Sequence, residues 1–327
     1  MKLKIFLILI VIFIFSCRSK KEEKAAVVKD TIENGIPLDI KVSGAIILTG
    51  VSEGKFYHPR ISKNGEYLYL TTGNYKGLWV KNLKKNGLKN LTMGNGAGFR
   101  FAISDDGKEV IYRLRVRGSK KQRTQFTLLM QNAGSGRIEI FESSERRISP
   151  PALLNNQIVY FVGDKLHRKK INKSVNASNE LNSFTLVNYG GSVYKITPDT
   201  FYVWRSVDKN ILEAFKSPVD GRIVFEVRGK GIFIEDEKGN EKFIVKGRNP
   251  RWSPDGKIIV FTKEKSDGMR IIANEIQFAI INPLKIIQTE IEGENPVWMP
   301  DGKHIIYSDA DGKIIKQEIK VTYKEVK

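Results

Sequence analysis

A chain of 327 residues, 41% hydrophobic and 10% aromatic, can bury a large core in one or two domains, which excludes a disordered polymer as the bulk of it. Fifty-five basic against 36 acidic side chains give a formal charge of +19, which favours anionic surfaces without choosing among phospholipid, polysaccharide, acidic protein and nucleic acid. A single cysteine excludes an internal disulfide and a cysteine-based metal site.

Residues 1–16, MKLKIFLILIVIFIFS, carry two lysines and then an unbroken apolar run from Ile5 to Phe15. The run is too short to span a bilayer stably and fits the apolar core of a secretory signal. Cys17 follows directly, and the order Ile14-Phe15-Ser16-Cys17 resembles a bacterial lipobox, with a bulkier residue at Phe15 than most carry. The resemblance implies removal of 1–16 and acylation of Cys17 by palmitate-type chains, leaving about +17 on the mature protein. The alternative is an ordinary signal peptide beside an incidental cysteine. Two or three acyl chains would hold the protein firmly. The expected location is therefore the bacterial envelope, on the outer membrane facing the periplasm. Residues 17–37, charged and without sustained periodicity, read as a tether.

From Leu38 to Lys327 the chain becomes a series of short β-type runs separated by turn residues, among them LDIKVSGAIILTG, EYLYLTT, EVIYRL, QIVYFV, FYVWRS and RIVFEV. No long amphipathic helical stretch competes with them, so the class is all-β. NPRWSPDGKIIVF at 249–261 and NPVWMPDGKHIIY at 295–307 share eight of thirteen positions. Aligned on the residue that closes the strand after the turn, Leu70, Tyr112, Tyr160, Trp204, Phe261 and Tyr307 lie 42, 48, 44, 57 and 46 residues apart. A period in the forties with several short strands in each period predicts a β-propeller of four-stranded blades, here six. The fourth repeat starts either near Trp204 or at SPVDGRIVF (217–225), with Trp204 then on a preceding strand. The run from Leu38 is placed to close the ring against the last blade.

Within a repeat, Pro254, Asp255 and Gly256 suit the successive positions of a type I turn after Ser253, as Pro300, Asp301 and Gly302 do in the last copy. Trp252 and Trp298 are placed to fill the wedge between blades. These aspartates are thus read as structural, not catalytic. The copies resemble the WD-like propeller repeat of the TolB family, over roughly Phe56 to Ile319, with LTMGNGAGFRFAISDDG at 91–107 matching the link between blades. The resemblance implies a six-bladed propeller and partners among membrane-bound envelope proteins, in an outer-membrane assembly complex or a Tol–Pal-like system. The chain departs from TolB in lacking its separate N-terminal α/β domain and in carrying an anchor signal.

Little in the chain suggests chemistry. His58, His167 and His304 have no ligand spacing, no G-x-S-x-G elbow or P-loop is present, and SDADGK at 308–313 fits a hairpin turn better than a calcium loop. No cofactor, metal or catalytic residue is expected. The most distinctive feature is RLRVRGSKKQR, where Arg113, Arg115 and Arg117 alternate onto one strand face before Lys120, Lys121 and Arg123. It reads either as a solvated edge or as a docking surface for an acidic partner. Residues 172–191, rich in Asn and Ser, read as an inserted loop. The favoured function is a non-catalytic, lipid-anchored interaction scaffold for outer-membrane assembly or envelope integrity, with no nucleic-acid partner. The alternative is small-ligand or glycan binding in the propeller channel, as a sensor or degenerate lyase.

Overall fold

The computed structural model describes residues 35–85, 87–118, 123–171 and 183–325. Cys17, Lys120 and Lys121 lie outside these residues, as do 172–182. The strands form seven sheets, each a blade of one ring. The N-terminal strand β1 (Gly35–Thr49) belongs to the last. Blade one holds β2 (Tyr57–Ile61), β3 (Tyr67–Thr71), β4 (Leu78–Asn82) and β5 (Leu88–Thr92). Blade two holds β6 (Ala102–Ile103), β7 (Glu109–Val116), β8 (Gln125–Asn132) and β9 (Ile138–Ser144). Blade three holds β10 (Ala152–Leu154), β11 (Gln157–Val162) and β12 (Lys165–Lys170). Blade four holds β13 (Thr185–Tyr189), β14 (Ser192–Ile196) and β15 (Phe201–Arg205). Blade five holds β16 (Ile211–Lys216), β17 (Ile223–Val227), β18 (Gly231–Glu235) and β19 (Glu241–Val245). Blade six holds β20 (Arg248–Trp252), β21 (Ile258–Ser266), β22 (Ile271–Ile280) and β23 (Lys285–Ile287). Blade seven pairs β24 (Glu294–Trp298), β25 (His304–Ser308) and β26 (Ile314–Glu325) with β1 outermost.

The second strand of each full blade is covered on both faces, which is why its sequence is a continuous apolar run. Ile258, Ile259, Val260 and Phe261 are all essentially inaccessible to solvent. The core divides into seven clusters, one at each junction between adjoining blades. Trp252 and Trp298 occupy two of these wedges; the Trp252 indole N–H donates to the Phe215 carbonyl at 3.1 Å, and Trp298 stands edge-on to Phe278 at 5.7 Å. Each large side chain buried in this way contributes about 2–3 kcal/mol.

Turn chemistry repeats with the blades. The Ser253 hydroxyl donates to Asp255 Oδ1 at 2.5 Å and accepts the Ile258 N–H at 2.9 Å, while Gly256 N–H closes the turn on the Ser253 carbonyl. Ser104 with Asp106, and Ser62 with Asn64, make the same arrangement. Asp301 accepts the Lys303 and His304 N–H groups in the last copy. These turns mark one end of the ring, the turn end. The hairpins between second and third strands mark the other, the hairpin end.

β1 runs antiparallel to β26 from Gly35 opposite Glu325 to Thr49 opposite Ile314, closing the ring and removing two sheet edges. Ile40 inserts into the cluster of blades six and seven, and Lys257 Nζ donates to the Gly35 carbonyl.

The blade count corrects the expectation of six. Trp204 does lie on a strand before the SPVDG turn, but that strand, β15, belongs to a separate blade. The supposed fourth repeat is two blades. Blades three and four have three strands each among the described residues, and β13 runs against its neighbour. Its Asn188 amide donates to the Leu212 carbonyl at the start of β16, whereas Phe184, just before β13, lies 5.0 Å from Lys216 Nζ at the end of β16. Because its innermost strand is reversed, blade four joins β13 to β14 at the hairpin end and carries its turn-end turn, Thr197–Thr200, between β14 and β15, about half a repeat before the SPVDG turn of blade five. Residues 185–191, expected within a loop, supply this innermost strand and its hairpin.

Candidate binding site in the central channel

The innermost strands, β2, β6, β10, β13, β16, β20 and β24, surround a central cavity of about 540 Å³. The repeat itself sets what lines it. Four residues before the turn residues Ser62, Ser104, Ser217, Ser253 and Met299 stand His58, Arg100, Glu213, Asn249 and Asn295. All five line the cavity toward its hairpin end. His58, Arg100, Asn249 and Asn295 have φ between 50° and 55°, the left-handed region. Asn tolerates that region by bonding locally, whereas His and Arg there cost on the order of 1 kcal/mol. Blades one and two therefore hold bulkier polar groups in a strained position that Asn fills in blades six and seven.

One layer deeper, two residues before the turn serine, lie Arg60 and Arg251. Arg251 Nη1 is 2.8 Å from Glu213 Oε2, and its guanidinium lies 3.7 Å from the Phe215 ring centre. Arg60 donates to the Phe101 carbonyl and covers the Phe101 ring at 5.0 Å. Arg100 reaches across the channel to donate to the Leu212 carbonyl of blade five. Three guanidiniums thus face a single carboxylate. Burial alone would raise the Glu213 carboxyl, but Arg251, Arg100 and Arg60 together hold it below its ordinary range. Burial, reinforced by Arg251, brings the Arg60 guanidinium down to about 10, still charged at neutral pH.

An aromatic wall stands beside these cations. The His58 ring stacks on Tyr75 at 4.3 Å, and Tyr75 meets Phe99 edge-on at 5.1 Å. His58 Nδ1 donates to Asn295 Oδ1 at 3.0 Å, and the Asn249 amide donates to the same oxygen at 3.0 Å. Burial lowers the His58 pKa, so the ring is neutral above mildly acidic pH. Toward the turn end the lining is Lys63, paired with Asp105 at 2.8 Å, and Lys216 over Phe184. The cavity therefore offers fixed positive charge beside ring faces, an arrangement suited to a small anion with a flat or apolar body.

The residues singled out in the sequence are elsewhere. Arg113 is 9% exposed and donates to the Ile148 carbonyl of blade three; burial, with Arg147 and Arg115, brings its pKa down to about 10. Strand alternation does put it on the face of Arg115 and Arg117, but blade three covers that face at its near end and leaves it open only toward the hairpin tip. Arg115, Arg117 and Arg123 are exposed, and Arg123 pairs with Glu145 at 3.3 Å. His167 stacks on Tyr160, and His304 Nδ1 bonds Asp301 Oδ2 at 2.7 Å. Among the described residues no three His, Asp or Glu side chains converge as metal ligands, and no helix is long and apolar enough to cross a membrane.

The channel collar could have been found in the sequence, because it falls at a constant offset from each turn. The signal was the substitution of His58, Arg100 and Glu213 where the best two repeats have Asn.

The closed ring of radially packed sheets defines a β-propeller. No family model matches the chain, and no curated protein matches it in sequence. Solved structures match it in fold. The Cps50 (Swd1) propeller domain of Myceliophteria thermophila is 10% identical, with a TM-score of 0.57 over 86% of this chain and 100% of that one. A chain of the mitotic checkpoint complex is 10% identical, with a TM-score of 0.56 over 89% of this chain and 93% of that one. A candidate TolB from Agrobacterium tumefaciens is 15% identical, with a TM-score of 0.49 over 82% and 91%. At these identities the likeness is one of fold alone.

Proposed function

We propose that this propeller is a non-catalytic recognition protein of the bacterial envelope, held on the outer membrane through acylated Cys17, and that it takes a small ligand into the hairpin-end mouth of its channel. The observation that carries this reading is the set Arg60, Arg100, Arg251 and Glu213 converging on one cavity beside Tyr75 and Phe99. Propellers commonly recognise partners at the ends of the ring, and a concave site with a few convergent polar groups is the default ligand site. The reading is tested by thermal-shift screening of the lipidated protein against small acids, sugars and nucleotides, repeated with Arg251→Ala. Stabilisation that the variant loses supports it; a flat response across the screen sinks it. Membrane fractionation tests the anchor, since Cys17→Ser should move the protein to the soluble fraction.

A second reading, a protein-interaction scaffold for outer-membrane assembly or a Tol–Pal-like complex, is favoured by the exposed arginines Arg115, Arg117 and Arg123 at the hairpin end. Crosslinked pull-down from native membranes, with and without Arg115→Ser, Arg117→Ser and Arg123→Ser, separates the two. A stoichiometric envelope complex lost in that variant favours the scaffold.

A further inference from the structure

We infer that the channel ligand carries a compact oxyanion, a carboxylate or phosphate group, held between the guanidiniums of Arg60 and Arg100. This rests on the channel being the binding site and names the chemistry it selects. Only Arg251 among the three guanidiniums has a carboxylate within ion-pair distance, the 2.8 Å contact to Glu213. Arg60 and Arg100 each place one Nη on a backbone carbonyl, of Phe101 and Leu212. A carbonyl satisfies a donor without cancelling a charge, so the three guanidiniums keep a surplus of two positive charges over Glu213 in a region of lowered dielectric.

A purely structural role for these arginines is the competing explanation. Arg100 could be a strut across the channel, since its bond joins blades two and five. Three details weigh against that as the whole account. Arg100 occupies a left-handed position (φ 51) that Asn249 and Asn295 fill at the equivalent places of other blades. Arg60 stands at the same repeat position as Arg251 but has no acidic partner of its own. The mouth also presents the stacked His58–Tyr75 pair and Phe99, apolar ring surface that a bare strut does not need. A guanidinium offers five donors in a planar fork that matches a carboxylate or phosphate, and the donors of Arg60 and Arg100 not used by carbonyls are the ones available to a ligand. The cavity of about 540 Å³ suits a single sugar-sized molecule bearing that group.

The test is isothermal titration of the full lipidated chain in detergent with D-glucose, D-glucuronate, D-glucose 6-phosphate and inorganic phosphate. One or both acids should bind at least about tenfold more tightly than glucose, a difference of about 1.4 kcal/mol. The preferred acid identifies the carboxylate or the phosphate as the source. Arg60→Gln and Arg100→Gln should each lower that affinity about tenfold, and Arg100→Lys, which keeps charge but loses the fork, should lower it less. Unchanged melting curves must accompany these losses, with Lys242→Ala on the outer strand β19 as control. Glucose binding as tightly as the acids would overturn the inference and leave the channel reading standing. Millimolar acids and phosphate all failing to bind would overturn both.

Discussion

Arg251 Nη1 lies 2.8 Å from Glu213 Oε2 and joins the innermost strands of blades six and five, with the guanidinium resting on the Phe215 ring. The two side chains are 25% and 23% exposed, so the pair is mostly withdrawn from water. Glu213→Gln should cost about 2 kcal/mol, below the range for fully buried pairs, because Arg251 loses its counter-charge. Urea unfolding measures this. The same change should strengthen binding of a channel anion, so stability and affinity move in opposite directions. Adding Arg251→Met should recover most of the lost stability and abolish the binding gain.

His58 makes stability depend on pH in a defined sense. Burial lowers its pKa below the ordinary 6.5. As pH falls through 6.5 the unfolded chain takes up a proton that the folded protein refuses, so stability is lost below that point and is constant above it. Melting temperature should fall between about pH 7 and 5, and His58→Gln should flatten that fall. The buried Glu226 carboxyl, pushed up chiefly by desolvation, works against the trend, because its folded form keeps a proton that the unfolded form has lost. Glu226→Gln should therefore steepen it.

Closure depends on β1. Ile40→Asp places a charge in the cluster shared with Trp298, Tyr307 and Ile319 and should cost on the order of 3 kcal/mol. Proteolysis should then cut first within 35–49, and the freed edge of β26 should make the protein associate. A monomer of unchanged protease resistance would contradict the role given to this strand.

The turn aspartates should matter for folding and not for binding. Asp255→Ala removes the acceptor for the Ser253 hydroxyl and the Lys257 N–H, worth about 1 kcal/mol. Chemical denaturation should show that loss, with ligand affinity in the channel unchanged.

Much of this architecture is written locally. The Ser253–Asp255 turn, the apolar run of β21 and the wedge position of Trp252 all follow from short-range chemistry, and they identify a propeller and its register. The blade count is not local. It fails at blade four, where the reversed β13 shifts the turn to Thr197–Thr200 between β14 and β15, so close to the SPVDG turn of blade five that the two read as alternative starts of one repeat. Arg113 was misplaced for a related reason: alternation assigns a face to a side chain, and only the neighbouring blade decides whether that face is covered. The channel residues were legible, at a fixed offset before each turn, but they carry no family motif and emerge only when the repeats are stacked.

The reversed strand of blade four says something about how this ring can change. Each strand inverts the direction of the chain, so losing one strand would turn every later blade upside down, exchanging its two ends. Among the described residues blade three ends, and blade four begins, at the turn end, so the two blades together are short by two strands there, an even number. Blades five, six and seven consequently keep the orientation of one and two, and Glu213 and Arg251 still face Arg60 and Arg100 at the same mouth. Parity is the rule such a ring must obey: it can shed or acquire antiparallel pairs between blades without moving the residues that meet at its centre.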